Sequence, residues 1–113
     1  MNDRTQMRLK QILVFATIIH RVMKTTTLEA FLNDVEIQDS VLYRLGQIGE
    51  TASKVPDDEQ EKYPELFWDA MIGLRHRLFH EYYDIDLSRV FAITQEPIEQ
   101  LVKNLESILS KRL

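Results

Sequence analysis

Apolar residues return at alternating steps of three and four along most of this chain, and few residues in it can make a tight turn. Leu9, Ile12, Ala16, Ile19 and Met23 follow that spacing, as do Val41, Leu45, Ile48, Ala52 and Val55. So do Phe67, Met71, Leu74 and Leu78, and then Ile98, Leu101, Leu105 and Ile108. A stripe with this period marks an amphipathic helix. Three glycines and three prolines in 113 residues are about half the usual share. No Asn-Gly, Asp-Gly, Gly-Gly or Pro-Gly pair occurs, so the short hairpin turns that a sandwich or barrel needs are missing. The expectation is an all-α fold, an up-and-down bundle of four main helices plus short connecting helices. The length suits one domain over residues 1–113.

Residues 4–24 form the first helix. Leu13, Val14, Phe15 and Ile18 widen its apolar surface enough for more than one neighbour, including another subunit. Thr26 and Glu29 have capping-box spacing for a short helix through Leu32. Asp34 can cap a long helix from Val35 to about Lys54. Gly46 and Gly49 lie inside it and each costs about 1 kcal/mol relative to Ala, which implies close approach of another helix or of a substrate. Residues 56–64 read as a loop or a short acidic helix. Pro64 suits the first position of the next helix, which runs to about Glu81. Asp86 or Ser88 can cap a helix through Thr94, and Pro97 bends or restarts the chain.

Absent chemistry narrows the function. With no cysteine, disulfides, thiolate zinc sites, iron–sulfur clusters and Cys nucleophiles are all excluded. The longest uncharged apolar run, Ile12 to Ile19, is far short of the ~20 residues of a membrane span. No signal-peptide pattern is present, so the chain reads as cytoplasmic and free of membranes. Fourteen Lys and Arg against 18 Asp and Glu give a net charge of -4. Residues 57–65 hold five acids and one lysine and account for all of it, while residues 1–24 carry five basic groups against Asp3. An acidic total therefore leaves room for a small cationic site. Arg4, Arg8 and Lys10 read as a solvated face before an RNA contact.

The informative segment is Gly73 to Tyr83. Arg75, His76, Arg77 and His80 fall within six residues of an otherwise apolar helix, and two of the three histidines of the chain are among them. The plain reading is a solvated helix end whose cations complement the helix dipole. The density of such groups favours a phosphate site. Histidine titrates near neutrality and serves as acid or base, and a guanidinium matches phosphate geometry with two parallel hydrogen bonds. His80 is the candidate for proton transfer and Arg75 for stabilising transition-state charge. On a regular helix Arg75 and His80 point about 140° apart. Either the helix loosens before Tyr82, or Arg and His from two subunits meet across a two-fold axis. Arg75 and Tyr82, seven apart, share a face. Asp39 and Glu50 either orient Arg75 or His80, or face water. Phe67 and Trp68 continue a helical stripe and read as core or interface.

Arg75-x4-His80-x-Tyr82 resembles the Arg-x4-6-His motif of HEPN domains, and in its Arg-x4-His-x-Tyr form it is similar to the HepT toxins. Arg8-Leu9, Glu29-Ala-Phe-Leu32, Ile48-Gly-Glu50, Tyr63-Pro-Glu65, Trp68, Ile72-Gly-Leu-Arg75 and Leu105-Glu-Ser-Ile-Leu109 extend the resemblance over essentially the whole chain. One departure is His76, where HepT-like chains more often carry Asn. The resemblance implies a homodimeric ribonuclease toxin acting on RNA without a metal or other cofactor, with motif residues from both subunits in the site. His76 and Arg77 would support that site. It also implies a minimal nucleotidyltransferase antitoxin that silences the toxin by adding AMP to the motif tyrosine, Tyr82. Two rivals stand beside it. His76 and His80, four apart, could share a metal with Glu81 adjacent, although no third ligand is evident. The chain could also be a non-catalytic accessory subunit of the nucleotidyltransferase, gripping phosphate without cleaving it.

Overall fold

The computed structural model describes residues 1–111 and is built of helices, with no strand among the described residues. Helix α1 (Asp3–Met23) begins at Asn2, whose side-chain oxygen accepts the Thr5 backbone N–H at 2.7 Å. Its stripe of Leu9, Ile12, Ala16, Ile19 and Met23 is almost wholly buried. Helix α2 (Leu28–Leu32) is capped by Thr27 rather than Thr26. The Thr26 hydroxyl instead donates to the Val22 carbonyl at 2.8 Å and so closes the end of α1. Asp34 caps α3 (Val35–Ser53) through the Ile37 N–H at 3.1 Å.

A short acidic helix, α4 (Asp57–Gln60), follows and ties down the start of the chain. The buried Glu59 carboxylate accepts the Asn2 backbone N–H at 3.0 Å and is also paired with Lys62. The Lys62 ammonium first, and the Asn2 N–H second, hold the Glu59 carboxyl down at about 2, and the same pairing raises Lys62. Nearby, the Arg8 guanidinium donates to the Lys54 carbonyl at the end of α3, so this cation of the first helix is used as a helix cap.

Pro64 does not start the next long helix. Pro64–Leu66 is a single 3-10 turn, and Phe67 then takes a left-handed conformation with φ 54° and ψ 51°. A β-carbon makes that region costly, and the turn is pinned on both sides. The Trp68 indole N–H donates to the Tyr63 carbonyl at 2.9 Å, and the Asn104 amide donates to the Glu65 carbonyl at 3.1 Å. Helix α5 (Trp68–His80) starts only after this reversal, and it leaves Phe67 half exposed while Trp68 is buried. A second 3-10 turn (Tyr82–Asp84) leads to α6 (Leu87–Thr94), capped by Asp86. The chain restarts at Gln95, and α7 (Glu96–Ser110) carries Pro97 in its first turn.

The four long helices pack in the order α5, α3, α1, α7, with α6 laid against α7 and α2 bridging α3 and α6. Phe31 of α2 is fully buried and packs on Phe91 of α6 with ring centroids 6.0 Å apart. The apolar stripes meet in one continuous core. No described helix is long and apolar enough to cross a membrane. Helix α5 is the outermost long helix. It is seated on α3 and buries only Trp68 and Met71, so most of its circumference faces outward.

Candidate active site

The contact between α3 and α5 is set by one glycine. A β-carbon on Gly49 would lie 2.6 Å from the Met71 carbonyl oxygen and 2.7 Å from the Arg75 nitrogen, closer than any real side chain approaches. The two backbones therefore touch where Arg75 leaves α5. Gly46, one turn earlier, is less crowded: a β-carbon there would meet Leu78 Cδ1 at 3.5 Å, an ordinary contact. The cost of glycine inside α3 is thus explained at Gly49 by helix approach.

One residue beyond Gly49, Glu50 reaches across and pairs with the Arg75 guanidinium. It also lies 3.8 Å from Lys54. Both partners of the Glu50–Arg75 pair are partly exposed, so the pair contributes little to stability but fixes where the guanidinium sits. Arg75 also lies over the edge of Phe79, with 6.0 Å from its guanidinium carbon to the ring centroid.

His76 and His80 occupy the next strip around α5, stacked one turn apart with ring centroids 4.6 Å apart and tilted by 40°. Both are exposed. Among the described residues, no group of three His, Cys, Asp or Glu side chains is placed to share a metal ion. Arg77 projects from the other edge of α5, where it lines a groove of about 640 Å³ with Phe67, Met71, Leu74, Ile93 and Ile98. The helix stays regular through His80 and gives way at Glu81, whose N–H bonds back to the Arg77 carbonyl at 2.8 Å. Arg75 and His80 therefore project about 140° apart from one straight helix.

A family model for the HepT-like ribonucleases, described as "Ribonuclease HepT-like", matches residues 12–108. The chain belongs to the HepT-like ribonuclease family. Two proteins of Methanocaldococcus jannaschii, each named as a putative RNase, are 32% identical to it over 101 residues. That length is 89% of this chain and 87% and 84% of theirs. A protein of Thermococcus cleftensis, named "Probable ribonuclease HepT", is 29% identical over 91 residues, 80% of this chain and 83% of its own. No solved structure matches the chain significantly. By family, this chain is a ribonuclease.

Within this HepT-like chain, Tyr82 lies past the end of α5, in the 3-10 turn, so the shared helical face expected for Arg75 and Tyr82 does not extend that far. The loss of helix after His80 is the reason. Tyr82 is half exposed and packs edge-on to Tyr83, with centroids 5.7 Å apart. It lines a second groove, between α3 and the end of α5, together with Asp39, Tyr43 and Phe79. Asp39 and Glu50 thus part company: Glu50 sits on Arg75, and Asp39 lies eleven residues, or about 16 Å of helix, further from it. Tyr43 and Phe79 belong to no motif that the sequence displays. Their signal was that both are large aromatics lying off the buried stripe of an amphipathic helix.

Proposed function

We propose that this chain is the toxin of a toxin–antitoxin pair, a metal-independent ribonuclease whose site is completed by a second copy and silenced by adenylylation of Tyr82. The observation that carries the proposal is the division of one regular helix into two functional strips. Glu50 holds Arg75 against α3, while His76 and His80 look outward from a face with no partner in the monomer. One phosphate then draws its guanidinium from one subunit and its imidazole from the other. The apolar groove beside Arg77 offers a second copy a surface to pack against.

Cleavage of RNA at such a site has three needs. A base takes the proton of the 2′-hydroxyl as its oxygen attacks phosphorus, an acid returns a proton to the departing 5′-oxygen, and cations hold the charge that builds on the phosphorane. His80 moves the proton. Arg75, always charged and already oriented, stabilises the phosphorane oxygens. His76, stacked on His80, limits its rotation, and Arg77 adds positive charge along the bound strand. The imidazolium formed in the attack returns its proton to the departing 5′-oxygen, so each site uses one His80.

Tyr82 is accessible to a modifying enzyme of the minimal nucleotidyltransferase class. Its phenol oxygen attacks the α-phosphorus of ATP, and pyrophosphate leaves. The phosphodiester so formed adds negative charge at the end of α5 and repels the RNA backbone. The test is incubation of the purified chain with total RNA in excess EDTA, and separately with a cognate nucleotidyltransferase and ATP. Cleavage should persist in EDTA, fall by at least about a hundredfold in His80→Ala, and be silenced by the transferase in the native chain but not in Tyr82→Phe. Undiminished cleavage by His80→Ala, or adenylylation of Tyr82→Phe, contradicts the proposal.

A further inference from the structure

The groove between α3 and the end of α5 has a composition that proton transfer and phosphate binding do not use. It measures about 340 Å³, at the small end of ligand pockets. Its walls are aromatic: Tyr43 is 61% exposed, Phe79 67% and Tyr82 51%. Exposed aromatic groups gathered in one groove, unlike ones scattered singly, mark a binding surface. Between them stand two polar side chains of α3, Asp39 and Gln47. Asp39 carries no ion pair among the described residues.

The groove is continuous with the cationic strip. Phe79 follows Arg75 by one turn of α5, its ring centroid 6.0 Å from the guanidinium carbon. On α3, Asp39, Tyr43, Gln47 and Glu50 recur at steps of four, four and three, so they lie along one face. A strand whose phosphate rests on Arg75 therefore has its adjoining base over Phe79 and Tyr43. A carboxylate in the groove repels phosphate and can only accept hydrogen bonds. It suits a base edge that donates.

We propose that this groove seats one nucleobase of the RNA substrate beside the cleaved phosphate, with Tyr43 and Phe79 stacking on it and Asp39 reading its donor edge. Guanine presents two adjacent donors, the ring N–H and the exocyclic amine, and a carboxylate accepts both at once. Uracil offers one donor between two acceptors and is disfavoured. The groove thus gives the ribonuclease a preference for guanine, and this inference rests on the ribonuclease reading above for the identity of its ligand.

Binding separates the two readings because it needs no cleavage. Uncleavable 2′-O-methyl hexanucleotides, all uracil or with one guanine, are titrated against the full chain by fluorescence anisotropy. The single guanine should tighten binding about tenfold, and Asp39→Asn should bring the two oligomers to within about twofold. Tyr43→Ala should weaken the guanine oligomer by about tenfold, the typical loss of one stacked base. Asp39 and Tyr43 are exposed, so both variants should fold, as checked by circular dichroism. Equal binding of both oligomers to the native chain, or a guanine preference that survives Asp39→Asn, overturns the inference. If base-dependent binding holds while all-ribose guanine oligomers stay intact, it is the ribonuclease reading that fails.

Discussion

Arg75 is the residue on which the candidate site turns, and two residues of α3 determine where it stands. Gly49 lets the α5 backbone approach until the Arg75 nitrogen would be 2.7 Å from a β-carbon. Glu50 then takes the guanidinium. Gly49→Ala should cost about 1–3 kcal/mol of stability through overpacking and lower RNA cleavage with it. Gly46→Ala meets only ordinary contact and should gain up to about 1 kcal/mol from helix propensity. Urea denaturation of both variants checks the contrast, and equal effects would contradict the assigned packing. Glu50→Gln should change stability by no more than about 1 kcal/mol yet reduce kcat/KM about tenfold. In an Arg75→Ala background the same substitution should have no further effect on kcat/KM. An additive loss there would mean that Glu50 does not act through Arg75.

At the scale of the elements, the long helices could be read from the spacing of their apolar residues, and several of their ends could not. Asp34 announced the start of α3 because a short acidic side chain before an apolar run has one good use there, while Asp86 and Ser88 both offered a start for α6 and Asp86 takes it. The capping-box spacing of Thr26 with Glu29 pointed to the wrong threonine as the cap of α2. Only the bond from Thr26 back to Val22, a consequence of how far α1 runs, leaves Thr27 for α2. The start of α5 at Trp68 was hidden for a stronger reason. A left-handed phenylalanine has no local signature, and the turn is held by a bond to Tyr63 and by one from Asn104, which lies distant in sequence. The Arg75, His76 and His80 cluster was visible because cations stood in an apolar helix, whereas Glu50 gained its meaning only when α3 met α5. The tie between α4 and the chain start makes a separate, pH-dependent prediction. The Glu59 carboxyl is held near 2 in the folded protein against 4.5 ordinarily. Its contribution is therefore complete above about pH 4.5 and is lost as pH falls through 2. Native protein should be more stable than Glu59→Gln at pH 7, and the gap should shrink steadily below pH 4.5. A gap undiminished at pH 2 would contradict the pairing with Lys62 and Asn2.

For the whole molecule, the packing order leaves α5 at one end with its histidine face uncovered. Both histidines are exposed, so no described element covers that face. A site shared across a two-fold axis accounts at once for the exposed histidines, the open groove beside Arg77 and the 140° between Arg75 and His80. The most direct measurement is complementation. Arg75→Ala and His80→Ala subunits are each assayed on RNA, then unfolded together in equal amounts, refolded and assayed again. A mixed dimer retains one site with an intact Arg75 from one subunit and an intact His80 from the other. Each variant alone should be nearly inactive, and the mixture should recover roughly a quarter of native activity, since half the dimers are mixed and each has one working site of two. A mixture no more active than its parts, with mixed dimers present, would contradict a shared site.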